Sequence, residues 1–72
     1  MDIQVLTKRE REVLRWLSIG KSNGDIAEIL GTSPNTVKIQ VRGIFAKLRV
    51  NNRTQAVGIA VQMGIVPLWN AM

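Results

Sequence analysis

The segment from Pro34 to Arg49, PNTVKIQVRGIFAKLR, decides the fold. Wound at about 100° per residue, it gathers Val37, Val41, Ile44, Phe45 and Leu48 into one apolar stripe. Asn35, Lys38, Ile39, Arg42, Gly43, Ala46 and Arg49 fall on the opposite side. The stripe needs a hydrophobic core to cover it. The other face is basic, holds no carboxylate, and is partly built of small side chains that let a large surface come close. Ser33 reads as the N-cap, and Pro34 suits the first helical position, where its missing N–H has no partner to lose.

On the N-terminal side, only Gly31, Thr32 and Ser33 separate this helix from a shorter one containing Ile26, Ala27, Ile29 and Leu30. Ser22 or Asn23 caps that helix and Gly31 stops it. Two helices joined so tightly must cross steeply, which is helix-turn-helix geometry. Ala27 is small enough for the following helix to approach, and Val37 can fill the space between the two. Further back, Thr7 followed by Glu10 forms a T-x-x-E capping box. It opens a helix whose core residues are Val13, Leu14 and Leu17, with Trp16 at the edge, and which ends near Gly20. On the C-terminal side, Asn52 and Gln55 offer another capping box. The helix they open has a core stripe of Ala56, Ile59, Ala60 and Met63, closed by Gly64 and Pro67. Strand-like alternation and internal repeats are absent. The predicted fold class is all-α: four helices in a single domain over residues 1–72, with a core at about 6–66 and a C-terminal tail at 67–72.

Seventy-two residues lie near the lower end of what folds without staples. The chain has neither cysteine nor histidine, so disulfides, thiolate chemistry, the usual zinc sites and the commonest general base are all missing. No apolar run approaches the ~20 residues of a membrane-spanning helix. The opening MDIQV has an acid and no basic n-region, which argues against a secretory signal and makes the cytoplasm the expected location. The carboxylates Asp2, Glu10, Glu12, Asp25 and Glu28 all lie in the first part of the chain, where Lys8, Arg9, Arg11, Arg15 and Lys21 balance them. From Ile29 onward there are only cations: Lys38, Arg42, Lys47, Arg49 and Arg53. The whole net charge of +5 therefore belongs to the second half. Several of these charges share one helix face, which points to a nucleic-acid partner. An enzyme is not expected: no carboxylates are paired in a recognisable site and there is no glycine-rich phosphate loop.

The stretch LTKREREVLRWLSIGKSNGDIAEILGTSPNTVKIQVRGIFAKLRVNNRTQAV, Leu6 to Val57, closely resembles the LuxR/FixJ-type (NarL/GerE-like) helix-turn-helix DNA-binding domain of bacterial transcription regulators. GIV at Gly64–Val66 would be its end. The shared markers are LTxREREVL and GxSNxxIAxxLxxSxxTVKxxVxxIxxKLxVxNRxxAV, with their spacing. The resemblance implies that the third helix is a recognition helix in the major groove and that the fourth serves dimerisation. It places base-reading positions on Lys38, Ile39 and Arg42, and backbone-contacting positions on Asn23, Asn35, Thr36, Gln40 and Lys47. Gln40 stands where many members carry histidine. Gly24 stands where lysine is common, which removes one phosphate contact. No family role attaches to Trp69 and its surroundings.

The residues supply reasons of their own. Lys38 can donate to guanine O6 or N7, and Arg42 can do so bidentately. Ile39, apolar between two cations, is either a tolerated surface hydrophobe or a contact for a thymine methyl. Gly43 costs a mid-helix position ~1 kcal/mol relative to alanine, explained by close approach to a phosphate backbone or by simple tolerance. Ser33, Asn35 and Thr36 surround a helix N-terminus, where free N–H groups offer a phosphate seat, unless they are ordinary caps. Lys21 and Ser22 join the expected backbone contacts at the start of the second helix, and Arg49 reaches a distal phosphate at most. Arg53 is expected to form a structural ion pair, with Glu12 as its partner. Val57 and Val61 lie on a second flank of the fourth helix, which either a twin subunit or the folded-back tail (Leu68, Trp69, Met72) can cover. The expected partners are therefore double-stranded DNA, a second copy of the chain through the fourth helix, and RNA polymerase, with no membrane and no cofactor. The competing reading is a helical protein-interaction module or anti-activator on the same fold, which would more often present aromatics or mixed charge on the third helix.

Overall fold

A computed structural model describes residues 6–66. Over this range the chain forms α1 (Lys8–Ser18), α2 (Asn23–Leu30), α3 (Pro34–Leu48) and α4 (Arg53–Gln62), with no strand among the described residues. None of these helices is long and apolar enough to cross a membrane. Pro67 and the tail residues Leu68, Trp69 and Met72 lie outside the described residues.

Each helix begins on a side chain that satisfies its orphan N–H groups. Thr7 and Glu10 make both bonds of their capping box. At α2 the cap is Ser22 rather than Asn23, and Asp25 completes a second box. Ser33 Oγ accepts from the Thr36 N–H at 3.1 Å, with Pro34 in the first turn. At α4 the expected box is displaced by one residue. Asn52 Oδ1 accepts from the Gln55 N–H, but the Gln55 side chain accepts from the N–H of Asn51 instead of Asn52.

The helix ends share one geometry. In each, the N–H of the residue that follows a positive-φ position returns to a carbonyl five residues back: Lys21 to Trp16, Thr32 to Ala27, Val50 to Phe45 and Ile65 to Ala60. This closure needs a left-handed residue, which is Gly31 (φ 69°) at the end of α2. Gly31 thereby confines the α2–α3 connection to residues 31–33, as the helix-turn-helix reading required. At the end of α3 the same position is held by Arg49, with φ 57° and ψ 44°.

Val13, Leu14, Ile26, Val37, Ile44, Leu48, Ala56 and Ala60 form the centre of the core. α4 packs chiefly on α1, while α3 lies against α2 and α1 and barely meets α4. α3 is thus clamped along one side by two other helices. Ala27 and Val37 are both buried where α2 and α3 cross. Ser18 is buried too, and its hydroxyl donates to the Leu14 carbonyl at 2.7 Å.

Candidate nucleic-acid interface

The two faces of α3 separate as their spacing predicts. Val37, Ile44 and Leu48 are buried, and Val41 and Phe45 are half-buried against the core. Asn35, Lys38, Ile39, Arg42, Ala46 and Arg49 are exposed. Ile39 is 60 % exposed, the most of the exposed large hydrophobics. Lys38 and Arg42 stand one turn apart beside it, and neither has a carboxylate partner among the described residues. Like charges at this spacing oppose the helix by a few tenths of a kcal/mol, roughly 0.2–0.5. The bare cationic pair beside an apolar side chain therefore carries a small electrostatic cost to the helix.

Gly43 does not belong to the open face. It is half-buried, and a Cβ built on it would lie 3.8 Å from Glu10 Oε2, an ordinary contact distance. The neighbour that approaches Gly43 is the Glu10 side chain of α1, at a distance that would still admit a Cβ, so packing alone does not demand a glycine there. The same carboxylate takes a 2.7 Å ion pair from the Lys47 ammonium. Burial raises the Glu10 pKa, but the Lys47 ammonium and the Thr7 N–H and hydroxyl outweigh it and hold the carboxyl below its ordinary value. The carboxylate-free reading of α3 thus holds along its sequence and changes in space, because α1 brings Glu10 to Lys47.

Gln40 lies on this same side, one turn before Gly43. It is half-buried, and its Oε1 is enclosed with no hydrogen-bond partner. At the N-terminus of α3, Ser33 and Thr36 are exposed and share a 2.9 Å bond between their hydroxyls. Ser33 is the cap, and since either hydroxyl of the pair can be the donor, one of the two protons remains able to reach an acceptor outside. Lys21, exposed, and Asn23, half-buried, flank the Ser22 cap of α2.

The expected Arg53–Glu12 pair does not form. Glu12 lies 3.9 Å from Arg9 instead. Arg53 Nη2 donates to the carbonyl oxygens of Leu17 at 2.6 Å and Lys21 at 3.2 Å. Carbonyls at a helix end carry partial negative charge and satisfy a guanidinium without any acid. On α4, Ala56 and Ala60 are buried and Ile59 and Met63 pack against the core. Val57 and Val61 remain half-exposed on the other flank.

Residues 4–65 match the family model described as bacterial regulatory proteins, luxR family. The chain belongs to the luxR family. Among its relatives, the transcriptional activator protein EsaR of Pantoea stewartii is 38% identical over 65 residues, 90% of this chain and 26% of that protein. The csgAB operon transcriptional regulatory protein of Salmonella typhimurium, a probable assignment, is 52% identical over 56 residues, 78% of this chain and 26% of the relative. The transcriptional activator protein LuxR of Aliivibrio fischeri is 44% identical over 62 residues, 86% of this chain and 25% of that protein. This luxR-family chain thus spans about a quarter of the length of the curated relatives it matches.

In the luxR-family domain described here, Lys38, Ile39 and Arg42 share one open face, with Asn35 and Arg49 towards its ends. Lys47 turns to Glu10 of α1, Gln40 is half-buried, and Val57 and Val61 sit on another helix. Two contributors escaped the sequence reading. Glu10 was legible as a cap but not as the partner of Lys47, and Arg53 was legible as structural but not as a ligand of carbonyls.

Proposed function

We propose that this chain is the double-stranded DNA-binding domain of a transcription regulator and that α3 enters the major groove. Lys38 and Arg42 read base edges by donation, and Ile39 contacts a thymine methyl. Ser33, Asn35, Thr36 and Arg49 meet phosphates around α3, with Gln40 and Lys47 at its margin. Lys21, Ser22 and Asn23 meet the backbone at the start of α2. The observation that carries this reading is the unpaired Lys38–Arg42 pair on an exposed face of a helix whose other side is clamped by α1 and α2. Membership of a family of bacterial regulatory proteins supports it.

We further propose that two copies associate through the Val57 and Val61 flank of α4. Such a contact is isologous, so the DNA site would be a pseudo-palindrome. The test is selection of binding sites from a random duplex pool, followed by a salt titration on the recovered sequence. The expected result is an enriched, two-fold related motif whose log affinity falls with log salt at about −0.9 per phosphate neutralised. A pool that never converges, together with a flat titration, would overturn the reading.

A further inference from the structure

The end of α1, the start of α2 and the start of α4 meet at Arg53. A cation in the first turn of a helix opposes the helix dipole, yet Arg53 is the first residue of α4. Its guanidinium turns away from its own helix to the carbonyls of Leu17 and Lys21, on either side of the α1–α2 turn. That turn already closes on itself: the Gly20 N–H donates to Leu17 O at 3.2 Å and the Lys21 N–H to Trp16 O at 3.1 Å. Arg53 adds a brace from a third helix.

The second of its acceptors is the informative one. The Lys21 carbonyl and the Ser22 N–H belong to one planar peptide unit, so fixing the oxygen fixes the direction of the N–H. That N–H donates to Asp25 Oδ2 at 3.4 Å and closes the capping box of α2. Arg53 therefore grips one edge of the peptide plane whose other edge starts α2. Val57, one turn along α4, lines the same surface depression as Arg53, Ser18 and Gly20. The brace thus lies between the flank assigned to a second subunit and the turn assigned to the DNA backbone.

We propose that Arg53 is a positioning residue for DNA binding. It touches no nucleic acid, but orients the Lys21–Ser22 peptide so that Lys21, Ser22 and Asn23 face a phosphate. This inference rests on the reading that the α1–α2 turn meets the DNA backbone. Lys21→Ala tests that reading by itself, because it removes the ammonium and leaves the carbonyl that Arg53 holds.

The experiment is a double-mutant cycle of Arg53→Lys and Lys21→Ala, titrated against a fluorescent mixed-sequence duplex over a series of salt concentrations. Arg53→Lys keeps the charge and replaces the planar fork by a single point donor. Arg53→Met is measured beside it, and thermal unfolding verifies that each variant is folded at the assay temperature. Coupled neighbours sharing one network predict that Arg53→Lys weakens binding about five- to tenfold in the parent chain and clearly less beside Lys21→Ala, where only the Ser22 and Asn23 contacts remain to be oriented. A direct phosphate contact predicts instead that Arg53→Met lowers the salt slope by about 0.9 even beside Lys21→Ala, which would overturn the proposal. Equal losses from Arg53→Lys in both backgrounds, or no loss in either, would overturn it as well. If Lys21→Ala alone leaves affinity and salt slope unchanged, the backbone reading of the turn is what has failed.

Discussion

Replacing Arg49 by glycine and, separately, by alanine divides backbone strain from charge at the end of α3. Arg49 sits at φ 57° and ψ 44°, where its N–H reaches the Ala46 carbonyl at 3.3 Å and the next N–H reaches Phe45 at 3.0 Å. Holding a residue with a Cβ in this left-handed conformation costs roughly 1–2 kcal/mol. Glycine escapes that cost but gives back about 0.5–1 kcal/mol through its freer unfolded chain. Both variants lose the same guanidinium, so their difference isolates the backbone, and Arg49→Gly should exceed Arg49→Ala in stability by about 0.5–1 kcal/mol. For a domain of this size that is a gap of about 3–6 °C in Tm, readable by thermal unfolding monitored by circular dichroism. On duplex DNA the two variants should behave alike, each with a salt slope about 0.9 shallower than the parent if one phosphate contact is gone. An alanine variant as stable as the glycine variant would refute the strain argument. Parental DNA affinity and slope in both would refute the phosphate contact.

Other expectations concern the remaining elements. Glu10→Gln keeps a capping side chain but loses the ion pair to Lys47, which is partly open to solvent, so the cost should stay within about 1 kcal/mol. Because the folded Glu10 carboxyl lies below its ordinary value, its contribution is complete above the ordinary carboxylate range and disappears as pH falls through the folded value. Urea midpoints measured between about pH 6 and 3 should therefore fall less steeply for Glu10→Gln than for the parent. Parallel curves would mean that Glu10 titrates alike in the folded and unfolded chain. Lys38→Ala should lose about 1–3 kcal/mol of discrimination at one base pair, measured by competition between operator variants; uniform weakening on every sequence would move Lys38 to the backbone. Val57→Glu and Val61→Glu should leave a folded monomer and weaken association on a full two-fold site. Unchanged sedimentation of the complex would remove α4 as the subunit contact.

What the sequence revealed was whatever depends on neighbours along the chain. Thr7 with Glu10 and Ser33 with Pro34 fixed two helix starts because capping is a matter of three residues. Gly31 announced a left-handed stop, and the spacing of Val37, Ile44 and Leu48 announced the buried side of α3. The misses lie where the answer depends on how helices cross. Glu10 and Lys47 are 37 residues apart, and only the α1–α3 packing brings them to 2.7 Å. The same crossing takes Gly43 out of the open face. Arg53 was assigned an acid because carboxylates are visible in a sequence, whereas carbonyl acceptors belong to every residue and mark none. Arg49 was readable as a charge but not as a left-handed residue, since nothing in an arginine signals that conformation. At Asn52 the residue types were right, and the box moved because Asn51 offered the Gln55 side chain an N–H one step earlier.

The isoleucine that stands bare on α3 has a consequence for how the molecule behaves at high concentration. An uncovered hydrocarbon side chain invites a second molecule to cover it, but Ile39 is fenced by Lys38 and Arg42, whose mutual repulsion would be doubled by any copy of the chain that docked there. A polyanion cancels that fence as it arrives. The hydrocarbon is thus barred to like-charged visitors and opened by the one kind of surface able to neutralise its guards.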